Sequence, residues 1–130
     1  MEIVPSSSPA DRSSYQYTQP QWSGAEKKIA RKLFDSALQR ELDEVVQEVK
    51  RRAAGIEAPS ALWELEDYLT ERRKEIDRKY DYRYSQLPIL FAHLIRESRI
   101  SQDDLAGLAE DKLSFVRALS SFPPRRKNRA

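Results

Sequence analysis

The sequence contains no cysteine, one histidine and only three glycines among its 130 residues. Without thiols there is no disulfide framework, no thiol nucleophile and no cysteine-based zinc site. A single imidazole, His93, has no second ligand of its own kind. Three glycines cannot supply a G-x-G-x-x-G or G-x-x-x-x-G-K loop, which excludes phosphate-loop and dinucleotide redox enzymes. No apolar run approaches the roughly 20 residues of a membrane span, and the first residues lack a secretory layout, so a soluble, cytoplasmic protein with no integral membrane segment is expected. A one-sided charge is missing too, since 23 Lys and Arg stand against 21 Asp and Glu, a net +2. Four of those cations, Arg125, Arg126, Lys127 and Arg129, sit together at the end; without them 19 bases face 21 acids, and the body carries no basic footprint for nucleic acid.

What remains is enough for one domain with a modest core. Apolar residues make up 39% and charged residues 34%, with a mean hydropathy of -0.77. Residues 1–21 are rich in Ser, Pro, Tyr and Gln and read as a disordered tail, with Tyr15 and Tyr17 as unremarkable exposed aromatics. Ser23 and Glu26 have the spacing of a capping box. From there Ile29, Leu33, Phe34, Ala37, Leu42, Val45, Val46, Val49 and Ala53 recur in steps of three and four, predicting one long helix that ends near Gly55. Such a helix is roughly 45 Å long, more than a small domain can cover by itself. A second chain is therefore expected on the stripe, with Leu33, Leu42, Val45 and Val49 in a dimer interface.

A second helix is predicted from Pro59, with Ser60 as a candidate cap and a stripe of Leu62, Leu65, Leu69, Ile76 and Tyr80 in which Arg73 fills a gap. Leu87 to Ile95 is apolar almost all round and is expected to be the most buried segment, after a break at Pro88. A final helix is expected to open at Ser101, with Asp104 in the acidic place of a second box, and to run through Leu105, Leu108, Phe115, Val116 and Leu119 until Pro123 and Pro124. The fold class is all-α, a single domain over residues 22–121. Two long helices over about 22–84 form an antiparallel homodimer stalk, a small helical head follows over about 85–121, and a basic tail over 122–130.

No catalytic constellation is visible, and neither a metal site nor a cofactor is expected. His93 lies in the most apolar segment, where a packed core histidine is expected. The carboxylates of the second helix point around its whole circumference and include no Glu-x-x-His pair. Arg73 breaks the apolar pattern, so it must be paired, extended to solvent or offered to a partner. Trp63 and Asp67, four residues apart, share a face, and a Trp, an acid and an Arg on one helix suit a protein-binding hot spot. The same residues fit an ordinary interface between two chains. Lys79-Tyr-Asp-Tyr-Arg-Tyr84 interleaves bases and rings as single-strand binders do, but a junction packed by tyrosines explains it equally in form and better in charge.

Leu62-Trp-Glu-Leu-Glu-Asp-Tyr-Leu69, Arg73-Lys-Glu-Ile-Asp77, Lys79-Tyr-Asp-Tyr-Arg-Tyr-Ser85 and Phe91-Ala92 resemble the fluorescence recovery protein family of cyanobacteria. Trp22-Ser23, Leu33-Phe34 and Arg40-Glu-Leu42 upstream, with Asp104-Leu105, Leu108-Ala109 and Asp111-Lys112 downstream, extend the resemblance over roughly Trp22 to Leu119. It implies a helical homodimer, without enzymatic activity, whose partner is the red form of the orange carotenoid protein, engaged mainly through that protein's C-terminal domain. The family member returns its partner to the orange form and releases it from the phycobilisome, so this chain would meet the cytoplasmic face of thylakoids through phycobilisomes. The implied functional patch is Trp63, Asp67 and Arg73, the first two near the dimer interface and Arg73 near the partner. Glu66 stands where the family usually has His, and Pro88 and Ser98 also depart from its pattern. A carboxylate beside Asp67 adds like-charge repulsion, which leaves open a second reading: the same helical dimer acting on a different partner.

Overall fold

A computed structural model describes residues 21–121 and is all-helical, with no strand among the described residues. Helix α1 spans Gly24–Ala54, α2 Pro59–Lys79, α3 Leu87–Arg96 and α4 Glu110–Ser120, with a 3₁₀ turn at Gln102–Leu105. The tails expected at residues 1–21 and 122–130 lie, but for Gln21, outside the described residues.

Helix α1 begins at the predicted capping box. The Glu26 N–H donates to Ser23 Oγ at 3.1 Å, and the Ser23 N–H donates to Glu26 Oε1 at 2.9 Å. Helix α2 starts with Pro59 in its first turn, but its N-cap is Ala58 and no side chain caps it, so Ser60 does not play the role expected of it. Ser60 falls at the second helical position, inside the helix, where it cannot cap it, while Pro59 at the first position has no N–H to leave unpaired and already has a helical φ.

The core joins the first half of α1 to the C-terminal helices. Ala30, Phe34 and Ala37 pack with Leu87, Leu90, Phe91, Leu94, Leu105, Leu108 and Val116. The linker 80–86 contributes an aromatic ladder: Tyr80 and Tyr82 meet Phe34 edge-on at 5.5 and 4.9 Å between ring centroids, and Tyr82 leads on to Tyr84 and Trp22. Leu33 packs against this core of its own chain, away from the open side of α1.

Two expectations fail in the head. The segment Leu87–Arg96 is the most buried of the helices, as expected, with Leu87, Pro88, Leu90, Phe91, Ala92 and Leu94 all buried, but a strip through Ile89 and His93 faces outward. His93 is thus an exposed residue and not a core histidine; its Nδ1 lies 2.9 Å from Arg96 Nη2, and partial burial with that cation beside it pushes its pKa below the ordinary value. The final helix is also not continuous. The Ser101–Asp104 box forms as expected, but it caps the 3₁₀ turn, and Gly107 then takes φ 104°. A Cβ at that position would lie 2.4 Å from Ile29 Cδ1, so the chain turns against α1 where only glycine fits.

Candidate partner-docking surface

Two buried carboxylates hold the long helices in place, and both sit on α1. Glu26 accepts from the Ala109 N–H at 2.7 Å and lies 3.1 Å from Lys112 Nζ, which is itself buried and donates to the Gln21 carbonyl. Burial alone would raise the Glu26 pKa, but the backbone donors and Lys112 outweigh it and bring it down to about 2. Glu41 accepts from Tyr80 OH at 2.8 Å, Lys79 Nζ at 2.9 Å and Arg72 Nη2 at 3.1 Å, with Arg99 Nε at 3.5 Å. Its pKa too is lowered, since these donors prevail over burial, while burial and the carboxylate raise that of Tyr80. Arg99 extends the network by a fork onto Glu44 at 2.7 and 3.0 Å.

These anchors decide which side chains of α2 are free. Arg72, not Arg73, turns inward to the buried carboxylate. The Arg73 side chain is 83% exposed and only grazes Asp77, its Nε 3.8 Å from Oδ2. Trp63 is 59% exposed, and Glu66 and Asp67 are exposed as well. Helix geometry, at about 100° per residue, separates them into two lines. Leu62, Glu66, Leu69 and Arg73 form one; Trp63 and Asp67 lie about a third of a turn further round, pointing away from α1. Trp63 and Arg73 stand about 15 Å apart along the axis. The four candidate residues thus share one helix and one exposed surface, without meeting at a point.

The surrounding surface is apolar. Leu42 and Val46 of α1 and Leu62 and Leu69 of α2 are all exposed, while Val45 and Val49 are half-buried. The seam between α1 and α2 is formed by Glu41, Val45, Arg52, Leu65, Tyr68, Arg72 and Ile76, with the Arg52 guanidinium 4.1 Å from the Tyr68 ring centroid. Measured from that seam, the open residues of both helices fall on the same side of the hairpin, so they make one continuous apolar face. Trp63 aside, Ile89 and Phe115 are the other exposed large apolar side chains among the described residues, and they lie apart from this face, which makes the hairpin face the candidate docking surface.

A groove of about 390 Å³ lies elsewhere, lined by residues of α2's end and α3 including Arg78, Lys79, Ile89 and His93. No group of three or more acidic or imidazole side chains among the described residues is placed to hold a metal ion. No described helix is long and apolar enough to cross a membrane.

Glu26, Glu41 and Lys112 are the residues that periodicity overlooked. Glu41 left a sign: it occupies the next step of the stripe Ala30, Phe34, Ala37, just as Arg73 does on α2. Reading a charge on an apolar stripe cannot tell a buried anchor from an exposed end of the stripe, because the difference depends on which elements pack there.

Comparison with known proteins places this surface in context. Residues 22–120 match the family described as photoprotection regulator fluorescence recovery protein. A fluorescence recovery protein of Synechocystis sp. is 42% identical over 99 residues, which cover 76% of this chain and 91% of that protein. Solved structures of the fluorescence recovery proteins from Fremyella diplosiphon and Synechocystis sp. superpose with TM-scores of 0.74 each, at 38% and 41% identity; each alignment covers 78% of this chain and all of the other.

Proposed function

The chain belongs to the fluorescence recovery protein family, a family of photoprotection regulators, and from that premise we propose what it binds and how it acts. It binds the red, photoactivated form of the orange carotenoid protein, mainly at that partner's C-terminal domain. It then accelerates return to the orange form and detachment from the phycobilisome, ending energy quenching. The observation that carries this reading is the open face of the α1–α2 hairpin, with a Trp63 side chain more than half exposed beside Asp67, and Arg73 free of the buried network.

No covalent step is needed. A regulator that binds the closing transition state of its partner more tightly than the open state speeds closure, and one that releases the closed form can act repeatedly. The chain works as a homodimer in which the open face of the stalk helices pairs through Leu42 and Val46 with half-buried Val49 beside them, Val45 being taken up by the seam with α2; Trp63 and Asp67 lie near that interface and Arg73 reaches the partner. Glu66 favours a second reading, in which the same dimer serves another partner, because a carboxylate next to Asp67 repels acidic surfaces that a histidine would tolerate.

The test is the dark relaxation of photoactivated orange carotenoid protein, followed by visible absorbance. Substoichiometric amounts of this protein should accelerate it, and Arg73→Leu should abolish most of the acceleration while helicity stays unchanged. No acceleration by the folded protein would reject the first reading, and acceleration restored by Glu66→His would assign the loss to that residue.

A further inference from the structure

Helix α2 carries the candidate docking residues, yet little apolar packing within the chain holds it. Ile76 is the one buried residue over Pro59–Lys79, whereas the shorter α3 buries six. Nearer the tip of the hairpin, Leu65 and Tyr68 are half-buried. Apolar contact is non-directional, so one buried isoleucine does not fix how a helix is rolled about its own axis.

Hydrogen bonds are directional, and those that α2 makes to α1 converge on a single carboxylate. Glu41 of α1 is 3% exposed, and Arg72, Lys79 and Tyr80 reach it from the last two turns of α2 and its C-cap. Glu75 braces the same Arg72 guanidinium at 2.7 Å, and the Tyr80 ring meets Phe34 of the core edge-on. The grip on α2 is thereby tied to the buried part of the molecule. Arg73 has no grip of its own across the seam. Its long contact with Asp77 lies within the same helix, so it cannot locate that helix. What locates Arg73 is the roll of α2: it follows Arg72 by about 100°, and a roll of about 20° displaces the outer surface of a helix by about 2 Å.

We infer that Glu41 is a positioning residue for Arg73: by holding Arg72 it fixes the roll of α2, and with it the place at which Arg73 is offered to a partner. Being buried, Glu41 acts without touching that partner. This deepens the reading of Arg73 above and rests on it for its consequence in recovery.

Glu41→Gln tests this, since it keeps the volume and an acceptor but removes the charge that gathers the donors. The full chain should stay helical and keep its oligomeric state, by circular dichroism and sedimentation, while its acceleration of recovery falls at least about fivefold. Arg73→Leu should then cost less in the Glu41→Gln background than in the unaltered chain, because substitutions acting through one contact are not additive. Should Glu41→Gln lose helicity, Arg72→Leu replaces it, leaving Glu41 to Lys79 and Tyr80. A readout without the partner is open because the chain has no cysteine: a nitroxide on Arg73→Cys reports that site alone, and its line shape should show greater mobility once Glu41→Gln or Arg72→Leu is added. A folded variant with full acceleration, losses that multiply independently, or an unchanged line shape would overturn the inference. An unaltered chain that does not accelerate recovery, or an Arg73→Leu chain that accelerates it fully, would instead overturn the role proposed for Arg73, and the line shape would still decide whether Glu41 fixes the roll of α2.

Discussion

The two halves of α1 have similar compositions and different fates. In the part up to Glu41, Ala30, Phe34 and Ala37 are buried by α3, α4 and the tyrosine linker, and Glu26 and Glu41 are satisfied inside the chain. In the second half, Leu42 and Val46 remain exposed, and the stripe is covered on only one side, by α2. The first half explains why the chain folds, and the second explains why it should bind. A helix whose apolar stripe outruns its own core is half a structural element and half a docking surface.

The largest effect should come from breaking the covered half. Phe91→Ala removes the largest fully buried ring, and unfolding by urea should show a loss of about 4 kcal/mol. Glu26→Ala leaves Lys112 buried without its carboxylate, with an expected loss of about 3 kcal/mol. The pH dependence carries the same information with a definite sign. The Glu26 pKa is depressed from 4.5 to about 2, so its contribution is fully present above pH 4.5 and is lost as pH falls towards 2. Glu26→Gln should therefore flatten the acid limb of stability over that window, which thermal melts at successive pH values would show.

Ser98 offers a smaller effect of opposite sign. It holds φ 61°, a left-handed conformation that an L side chain adopts at a cost, in the turn that presents Arg99 to Glu41 and Glu44. Ser98→Gly should raise stability by up to about 1 kcal/mol, and a matching rise in melting temperature would confirm that the strain is local. In the open half, Trp63→Ala should alter the stability of the dilute, monomeric chain by less than about 0.5 kcal/mol while weakening its dimer and its hold on a partner. A loss at dilution comparable to that of Phe91→Ala would show that Trp63 belongs to the chain's own core and would erase the contrast between the halves.

Local signals in the sequence located most of the elements. The Ser23–Glu26 and Ser101–Asp104 boxes form as read, Pro59 opens α2, and the periodicity from Ile29 to Ala53 is a single helix. What periodicity could not convey is what lies opposite a stripe. His93 looked buried because its neighbours are apolar, yet α3 leaves the strip of Ile89 and His93 uncovered and the ring faces out. The final helix looked continuous because its apolar spacing carries across Gly107, whose positive φ breaks it where the chain passes close to Ile29. Among the candidate site residues, Trp63, Glu66, Asp67 and Arg73 are exposed on α2, whereas Leu33 belongs to the chain's own core. The exchange of roles between Arg72 and Arg73 was illegible for the same reason, since only the position of Glu41 across the seam distinguishes them.

The most direct test of the contrast between the halves is amide hydrogen exchange on the full chain at nanomolar and at micromolar concentration. Exchange in residues 42–69 should slow markedly with concentration, while amides in α3 and α4 exchange at the same slow rate in both samples. Equal protection of the two regions in the dilute sample, or a tip indifferent to concentration, would contradict the claim that a second chain completes the surface.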